Sequence, residues 1–229
     1  MRLRAAAFGA LAAAAVFAPS VAGCHAASVA GMDGHSGLIE TLSGQVDAAD
    51  GNDFTAQYRY GEDAIASVVH SADPARTAYL FPHGRHVIAE DYAMTCVDES
   101  EDECVVVDDT AQSSPDEKAL DDMGGTGFLS ARTVIGWLAE TSANTDSDAS
   151  ITSQSTTIAG EHATCVAETG TDTQTVAGEY DVCITDSGLL GSFDGVVDGE
   201  DVSISLNSYS RHIDDTHFDI PDDVTDDRS

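Results

Sequence analysis

The segment Phe54-Thr-Ala-Gln-Tyr-Arg-Tyr60 alternates between apolar and polar side chains along its whole length. Its aromatic residues fall on one face of an extended chain, whereas Thr55, Gln57 and Arg59 fall on the other. A period of two residues is typical of a β-strand that buries one face and exposes the other to water. The segment therefore predicts a half-buried strand in an antiparallel sheet.

Strand-like stretches joined by short turns occur along most of the chain. They are residues 65–70, 77–81, 86–89, 92–97, 104–107, 163–166, 180–184 and 202–207. Two segments, 37–42 and 128–140, have apolar residues at helical spacing instead and predict helices. Residues 109–126 and 141–155 are rich in Asp, Ser, Thr and Gly and predict loops. This order of elements predicts a mainly β (α+β) fold in which the strands form a meander.

Acidic residues greatly outnumber basic ones. The chain has 229 residues, of which 41 are Asp or Glu and 9 are Lys or Arg, so its formal net charge is −32. Binding to a phosphate backbone requires clustered Lys and Arg, so this balance excludes nucleic acid as a partner. So large a charge predicts adaptation to high salt, because the Debye length falls to about 3 Å at 1 M salt and repulsion between carboxylates is then screened.

The first 24 residues have the pattern of a bacterial export signal. Two early arginines precede an apolar run from Ala5 to Ala18, which is too short to cross about 30 Å of hydrocarbon. The segment Val21-Ala-Gly-Cys24 then resembles a lipobox. This resemblance implies a signal peptide at residues 1–23 and a diacylglycerol anchor on Cys24, which place the protein on the extracytoplasmic face of the cell membrane. The alternative is ordinary secretion with a chance cysteine.

The chain after the signal peptide divides into three parts. Residues 24–36 are mostly small or polar and predict a flexible membrane tether. Residues 37–221 contain all the predicted strands and helices and predict a single domain. Residues 222–229 are rich in aspartate and predict a disordered tail.

Four cysteines remain when Cys24 is set aside, and an exported protein meets conditions that favour disulfides. Cys96 and Cys104 flank one polar turn, and Cys165 and Cys183 flank another. Of the three possible connectivities, this context favours Cys96–Cys104 and Cys165–Cys183, because adjacent antiparallel strands bring Cα atoms within disulfide range. A metal site is the competing interpretation, but the chain has neither a Cys-x-x-Cys pair nor a histidine at zinc-finger spacing.

Several segments together resemble the LolA-like lipoprotein superfamily, which includes the actinobacterial lipid-binding lipoproteins of the LppX and LprG type. They are Phe54–Tyr58, 128–140, Ile158–Cys165, Tyr180–Cys183, Asp186–Leu190 and Phe218–Pro221. The resemblance implies a curved antiparallel sheet that forms an incomplete barrel, with one or two helices over its concave face. It also implies that this face can hold acyl chains. The extreme acidity and the two cysteine pairs depart from the family pattern.

Large apolar side chains of the predicted strands are the candidate ligand-binding residues of that concave face. They are Phe54, Tyr58, Tyr60, Tyr79, Phe81, Val202, Ile204 and Leu206. An apolar sheet face beneath a helical lid makes a pocket of the usual kind for an apolar ligand. The alternative for each of these residues is that it fills a closed core.

The sequence contains no motif that predicts catalysis, a cofactor or a metal. It lacks Gly-x-Ser-x-Gly, a P-loop and a dinucleotide-binding fingerprint. His83 and His86 supply only two imidazoles in a turn-like context, as do His212 and His217. The acidic run Asp98–Glu103 lacks the ligand spacing of a calcium loop and predicts a charged hairpin loop. We therefore expect no catalytic residue, no cofactor and no metal.

Two hypotheses of function follow from these observations. The first is a membrane-anchored extracytoplasmic lipoprotein that binds or handles lipid without catalysis, with the membrane and a lipid as its partners. The second is a surface interaction or sensory module of similar fold that has no ligand cavity and whose protein partner the sequence does not identify. An open apolar volume on the concave face favours the first, and a packed interior favours the second.

Overall fold

The computed structural model describes residues 32–61, 64–82, 84–97, 104–108, 128–143, 150–170, 177–221 and 224–226. The helices of these segments are α1 (Met32–Ala49) and α2 (Ala131–Ala143). The strands are β1 (Phe54–Tyr60), β2 (Ala64–Ala72), β3 (Ala75–Phe81), β4 (Gly84–Ala89), β5 (Ala93–Val97), β6 (Cys104–Val107), β7 (Ser150–Ile158), β8 (Glu161–Thr169), β9 (Ala177–Thr185), β10 (Leu190–Val197), β11 (Glu200–Ser210) and β12 (Thr225–Asp226). A 3₁₀ turn spans Asp215–Phe218.

All twelve strands belong to one sheet, in the order β12-β6-β5-β4-β3-β2-β1-β11-β10-β9-β8-β7. Neighbouring strands are antiparallel, except that β12 runs parallel to β6. Register shifts between Gln57 and Tyr58 and at two points of β10 are irregularities of the kind that bend strands. The sheet is curved and does not close into a barrel, which confirms the predicted fold class.

The two helices cover the concave face of the sheet and form the main core with it. Helix α1 buries Ile39, Leu42 and Val46, which recur every three to four residues, and α2 buries Val134 and Leu138. These side chains pack against the inward-facing residues of the strands. Each such apolar side chain contributes about 1.5–3 kcal/mol when it leaves water, so the helices depend on the sheet for most of their stability.

A second apolar layer lies on the opposite, convex face across β2 to β6. Its residues lie opposite one another from strand to strand and are fully buried: Val69, Ala78, Val87, Met94 and Val106. The chain after β11 returns over this row and adds Phe218 to it. We call residues 211–221 and 224–226 the C-terminal strap. The sheet therefore has an apolar layer on each face.

Both predicted cysteine pairs are disulfides in the structure. Cys96 lies directly opposite Cys104 on β5 and β6, with a Cα–Cα distance of 4.0 Å. Cys165 lies opposite Cys183 on β8 and β9, with a Cα–Cα distance of 3.9 Å. Each disulfide closes a hairpin and packs in a cluster separate from the core beneath the helices.

Helix α1 is much longer than the one or two turns predicted at residues 37–42. It starts at Met32, so the last residues of the predicted tether are helical, and it continues to Ala49. Gly44 and several polar residues interrupt the apolar pattern after Leu42. Helix continues there because Val46 is buried against the sheet, and tertiary packing outweighs the weak local propensity.

Two strands differ from the sequence prediction. Strand β7 begins at Ser150, within the predicted loop 141–155, and the first residues of that loop belong to α2. Strand β10 contains Gly191 and Gly195, which disfavour strand formation locally. Both segments are strands because they pair with neighbours: β7 with β8, and β10 with both β9 and β11.

Helix α2 agrees with the sequence prediction and starts at Ala131, after Ser130, whose hydroxyl accepts a hydrogen bond from the Thr133 amide. The predicted disordered tail differs, because Thr225 and Asp226 pair with β6 and form β12. His83, the acidic run Asp98–Glu103 and the loop 109–126 lie outside the described residues.

The predicted membrane anchor also lies outside the described residues. These exclude residues 1–31, and therefore the predicted signal peptide and Cys24. In the part of the chain that the structure describes, neither helix is both long enough and apolar enough to cross a membrane.

Candidate functional site

A pocket of about 100 Å³ lies between the two helices and the concave face of the sheet. The end of α1, the start of α2, strands β1 to β3 and the turn before β10 form its walls. Ligand sites for drug-sized molecules are typically about 300–1,000 Å³, so this pocket has room for a small apolar group or for the end of a longer chain.

The walls of the pocket are mostly apolar. Their apolar residues are Val46, Ala49, Phe54, Tyr58, Val68, Tyr79, Phe128, Leu129, Ala131, Leu189 and Leu190. Burial raises the pKa of Tyr58 well above its ordinary value, so its hydroxyl group stays neutral at physiological pH. A wall of this composition stabilises an apolar occupant by removing it from water.

One wall of the pocket contains a buried polar chain. His70 on β2 lies opposite Thr77 on β3, and its Nδ1 is 2.8 Å from the Thr77 hydroxyl. Its Nε2 is 3.1 Å from the carbonyl oxygen of Asp50. A carbonyl only accepts hydrogen bonds, so Nε2 carries a hydrogen and Nδ1 can accept from Thr77. Both ring nitrogens therefore have partners, and the ring connects the sheet to the chain that follows α1.

Three charged side chains lie at the solvent side of the pocket. Arg132, in the first turn of α2, bonds to Asp47 through Nη1 at 2.8 Å and to Asp50 through Nη2 at 3.0 Å. The three side chains are 45%, 61% and 68% exposed, respectively. This ion triad joins the two helices across the pocket mouth, and because two carboxylates meet one guanidinium, its net charge is negative.

Gly188 allows α1 to lie close to the turn before β10. Its φ is +81°, a left-handed conformation that favours glycine. A Cβ atom at this position would collide with the backbone carbonyl of Gln45 in α1. Because Gly188 has no side chain, α1 can lie close to the turn before β10. This close approach limits the volume of the pocket between them.

The structure divides the eight candidate ligand-binding residues into two groups. Phe54, Tyr58 and Tyr79 line the pocket. The others lie in or against the same core but not on the pocket wall: Tyr60, Phe81, Val202, Ile204 and Leu206. Ile204 and Leu206 are buried on β11, and Val202 is partly buried. The concave face therefore carries all eight residues, and packed side chains fill most of it.

An aromatic cluster closes one side of the pocket. Phe128 meets the rings of Tyr58, Tyr60 and Phe81 edge to face, with ring centroids 5.3, 6.0 and 5.7 Å apart. Edge-to-face pairs add about 0.5–1.5 kcal/mol each beyond the area they bury. Tyr60 and Phe81 thus hold Phe128, which itself lines the pocket.

Sequence reasoning missed several residues of the site. Val46 and Ala49 continue the apolar spacing of Ile39 and Leu42, and this signal was available in the sequence. Leu189 belongs to the segment Asp186–Leu190 that resembles the LolA-like family, but it carries no periodic pattern that would place it on the pocket wall. Arg132 was visible as one of the few cations, but its pairing depends on how the two helices pack.

The described residues contain no arrangement that fits a metal ion. No group of three or more His, Cys, Asp or Glu side chains among them lies close enough to hold one. His86 bonds to the Thr95 hydroxyl at 2.7 Å, as His70 does to Thr77. His212 is exposed on the C-terminal strap, and His217 is partly buried there.

Comparison with solved structures shows a likeness of fold. An uncharacterized conserved protein from Thermus thermophilus matches with a TM-score of 0.50 and 11% sequence identity, over 84% of this chain and 99% of that one. A LolA superfamily protein from Nitrosomonas europaea matches with a TM-score of 0.27 and 9% identity, over 78% of this chain and 97% of that one. The second score does not establish a common fold. No family model matches the sequence, and no curated protein matches it.

Proposed function

We propose that this protein is a membrane-anchored lipoprotein of the LolA-like type that binds the apolar part of a lipid outside the cytoplasm, without catalysis. The observation that carries the proposal is the apolar pocket between the helices and the concave face. A pocket beneath two helices is the place where an apolar chain can leave water without unfolding the sheet.

The pocket volume limits what binds without rearrangement. About 100 Å³ accommodates the end of an acyl chain rather than its whole length. A longer segment requires α1 and α2 to move apart. The ion triad and the apolar contacts between the two helices oppose that movement.

The sequence supports the membrane anchor and the family assignment. The lipobox-like segment ending at Cys24 supports lipidation, and acyl chains on that cysteine would supply about 0.8 kcal/mol per buried methylene for attachment. The segments that resemble LolA-like lipoproteins include β1, α2 and the Cys165 and Cys183 strands. The curved sheet with helices over its concave face is the architecture that the resemblance implies.

The hydrogen bonding of the pocket supports a binding function rather than a catalytic one. Both nitrogens of His70 are held by Thr77 and Asp50, and Arg132 is held by two carboxylates. A general base needs a ring nitrogen within reach of substrate, and a nucleophile needs an open path to it. The engagement of these groups by protein partners supports the proposal of binding without catalysis.

The first test is the recovery of bound lipid. The mature chain beginning at His25, which retains every described residue, is purified without detergent and extracted with organic solvent. Mass spectrometry of the extract is expected to show an apolar lipid in stoichiometric amount. An extract without lipid, from protein that also fails to bind a fluorescent apolar probe, would reject the proposal.

A pocket-blocking variant makes the test specific. Ala131 is half-buried on the pocket wall at the start of α2, so Ala131→Trp should fill the pocket and lower probe binding at least about 10-fold. Ala139→Trp, on the exposed side of the same helix, is the matched control and should leave binding unchanged. Equal effects of the two substitutions would show that the probe binds elsewhere.

The small volume of the pocket favours a second candidate function. A surface interaction or sensory module needs no cavity, and most of the concave face is filled by side chains. Crosslinking of the anchored protein in intact cells distinguishes the two. A specific protein partner together with a lipid-free pocket would support the interaction module.

A further inference from the structure

The charge at the pocket mouth restricts the head group of a bound amphiphile. An amphiphile whose apolar chain is short enough for the pocket leaves its polar end at the solvent side, where Asp50 and Arg132 belong to the pocket lining. Asp47 lies one helical turn before Asp50 and bonds to the same guanidinium. The head group therefore meets the ion triad, and its charge decides the interaction.

The single cation of this triad is already engaged. Arg132 bonds to two different carboxylates at 2.8 and 3.0 Å, so its positive charge is already more than balanced and an anionic head group would compete with both carboxylates for it. Such a ligand would also approach a molecule whose net charge is −32. Two unit charges 4 Å apart interact by about 1 kcal/mol in water and by more near a protein surface, so the penalty is measurable.

The helix ends at the mouth do not reverse this preference. The C-terminal end of α1 carries partial negative charge there, and the N-terminal end of α2 carries partial positive charge, so their effects oppose each other. The Ser130 hydroxyl already accepts a bond from the Thr133 amide in the first turn of α2. The carboxylates of Asp47 and Asp50 thus dominate the local field.

We propose that the pocket selects amphiphiles with a cationic head group, accepts neutral ones less tightly and rejects carboxylates and phosphates. The inference rests on the proposed binding function and adds the class of its ligand. An ammonium group at the mouth pairs with Asp47 or Asp50 without removing Arg132 from the other carboxylate. An anionic head group meets at the pocket mouth only a guanidinium that is already paired with two carboxylates.

The test compares butylamine, butanol and butanoate, whose chains are short enough for a pocket of about 100 Å³. Each competes with the small neutral fluorophore naphthalene for the mature chain in 0.2 M and in 2 M NaCl. At 0.2 M, butylamine is expected to bind about 10-fold more tightly than butanoate, with butanol between them. At 2 M the differences should shrink, because the Debye length falls below about 3 Å.

Two variants change the preference in a defined way. Asp47→Asn with Asp50→Asn removes both carboxylates that pair with the Arg132 guanidinium and should remove or reverse the preference for the amine. Asp181→Asn with Asp194→Asn changes the net charge equally on the sheet, away from the pocket lining, and should retain it. This matched control separates the mouth from the overall charge of the molecule.

The outcomes separate the inference from the proposed function. Absence of displacement by all three ligands would refute the binding function and the inference with it. Displacement that is equal for the three head groups, or tightest for butanoate, would overturn the charge selection and leave the binding function intact. An equal loss of selectivity in both double variants would assign the effect to net charge and overturn the role of the pocket mouth.

Discussion

Glu168 is a buried carboxyl group with poor hydrogen bonding. It lies on β8, is 1% exposed and is close to Tyr180 and to Thr141 of α2. Neither of its oxygens, nor the Tyr180 hydroxyl, has a hydrogen bond of good geometry to any described residue. Burial raises the pKa of Glu168, and the two hydroxyl groups oppose this shift only partly.

The raised pKa predicts a pH-dependent contribution of Glu168 to stability. The protonated form favours the folded state, so the contribution is fully present below the ordinary pKa of about 4.5 and is lost as pH rises through the folded value. We predict that Glu168→Gln increases the free energy of unfolding at pH 7 by about 1–3 kcal/mol, since an uncharged amide replaces a buried acid. Urea unfolding between pH 4 and pH 8 measures this difference.

The pH trend gives the prediction its control. The gain from Glu168→Gln should shrink toward pH 4, whereas Glu200→Gln, at an exposed position on β11, should show no such trend. A variant less stable than the wild type at pH 7 would contradict the prediction and indicate that the folded protein holds the carboxylate in its charged form.

Gly188 provides a second prediction at the level of one residue. Alanine there has to adopt a positive φ and also pushes against the Gln45 carbonyl of α1. We predict that Gly188→Ala lowers the free energy of unfolding by about 2–4 kcal/mol and weakens probe binding in the pocket. Gly160 also has a positive φ but open space around it, so Gly160→Ala should cost only about 1 kcal/mol. Equal losses in thermal unfolding would mean that the contact with α1 contributes nothing.

At the level of elements, the C-terminal strap completes the convex layer of the sheet. Phe218 is 2% exposed, and the guanidinium of Arg76 lies 4.2 Å from the centre of its ring. Arg76 also pairs with Asp215 at 2.6 Å. The Tyr92 hydroxyl donates to the carbonyl of Phe218 at 3.0 Å. The strap is therefore held against the sheet by the packing of Phe218, by the contacts of the Arg76 guanidinium and by the hydrogen bond from Tyr92.

The strap makes a large, testable contribution to stability. We predict that Phe218→Ala lowers the free energy of unfolding by about 3–5 kcal/mol, because it leaves a cavity over the convex row. Arg76→Gln should cost about 0.5–2 kcal/mol through loss of the cation–π contact and of the ion pair with the exposed Asp215 side chain. Arg59→Gln, at an exposed position on β1, serves as the control and should be nearly neutral. A cost below about 1 kcal/mol for Phe218→Ala in chemical denaturation would show that the strap is not part of the cooperative core.

The elements also show where sequence reasoning succeeds. Strand β1 has the predicted bounds Phe54–Tyr60, because strict alternation of large apolar and polar residues is a strong local signal. Strand β7 was missed because its residues are mostly Ser and Thr and are largely exposed. It is a strand because its backbone pairs with β8. Backbone pairing of this kind does not require alternating apolar and polar residues, so the sequence shows no strand pattern there.

At the scale of the whole molecule, three of the five described arginines have structural roles. The described arginines are Arg59, Arg76, Arg85, Arg132 and Arg211. Arg76 and Arg85 hold the C-terminal strap, the latter by donating to the carbonyl of Asp219 at 3.1 Å. Arg132 joins the two helices. Elsewhere like charges lie close together, as Asp181 and Asp194 do on adjacent strands.

The charge imbalance predicts that salt stabilises the fold. Self-repulsion of a molecule with a net charge of −32 falls as salt screens it, so the melting temperature should rise by roughly 5–10 °C between 0.1 and 2 M NaCl. The double variant Asp181→Asn with Asp194→Asn should melt higher than the wild type at low salt, and the gap should narrow at high salt. Calorimetry at several salt concentrations measures both effects. A melting temperature that stays constant or falls would contradict the prediction.

The sequence by itself determined the fold class, the strands with strict alternation and the pairing of the cysteines, because each depends on neighbours in the chain or on one hairpin. It also placed eight large side chains on the concave face. Only the tertiary structure decided which of them line an open volume, since Phe54, Tyr58 and Tyr79 do so while Ile204 and Leu206 are packed. The volume of the pocket depends on how closely α1 approaches Gly188 and how closely α2 approaches α1. These distances join segments that are far apart in the chain, so no local sequence pattern predicts them.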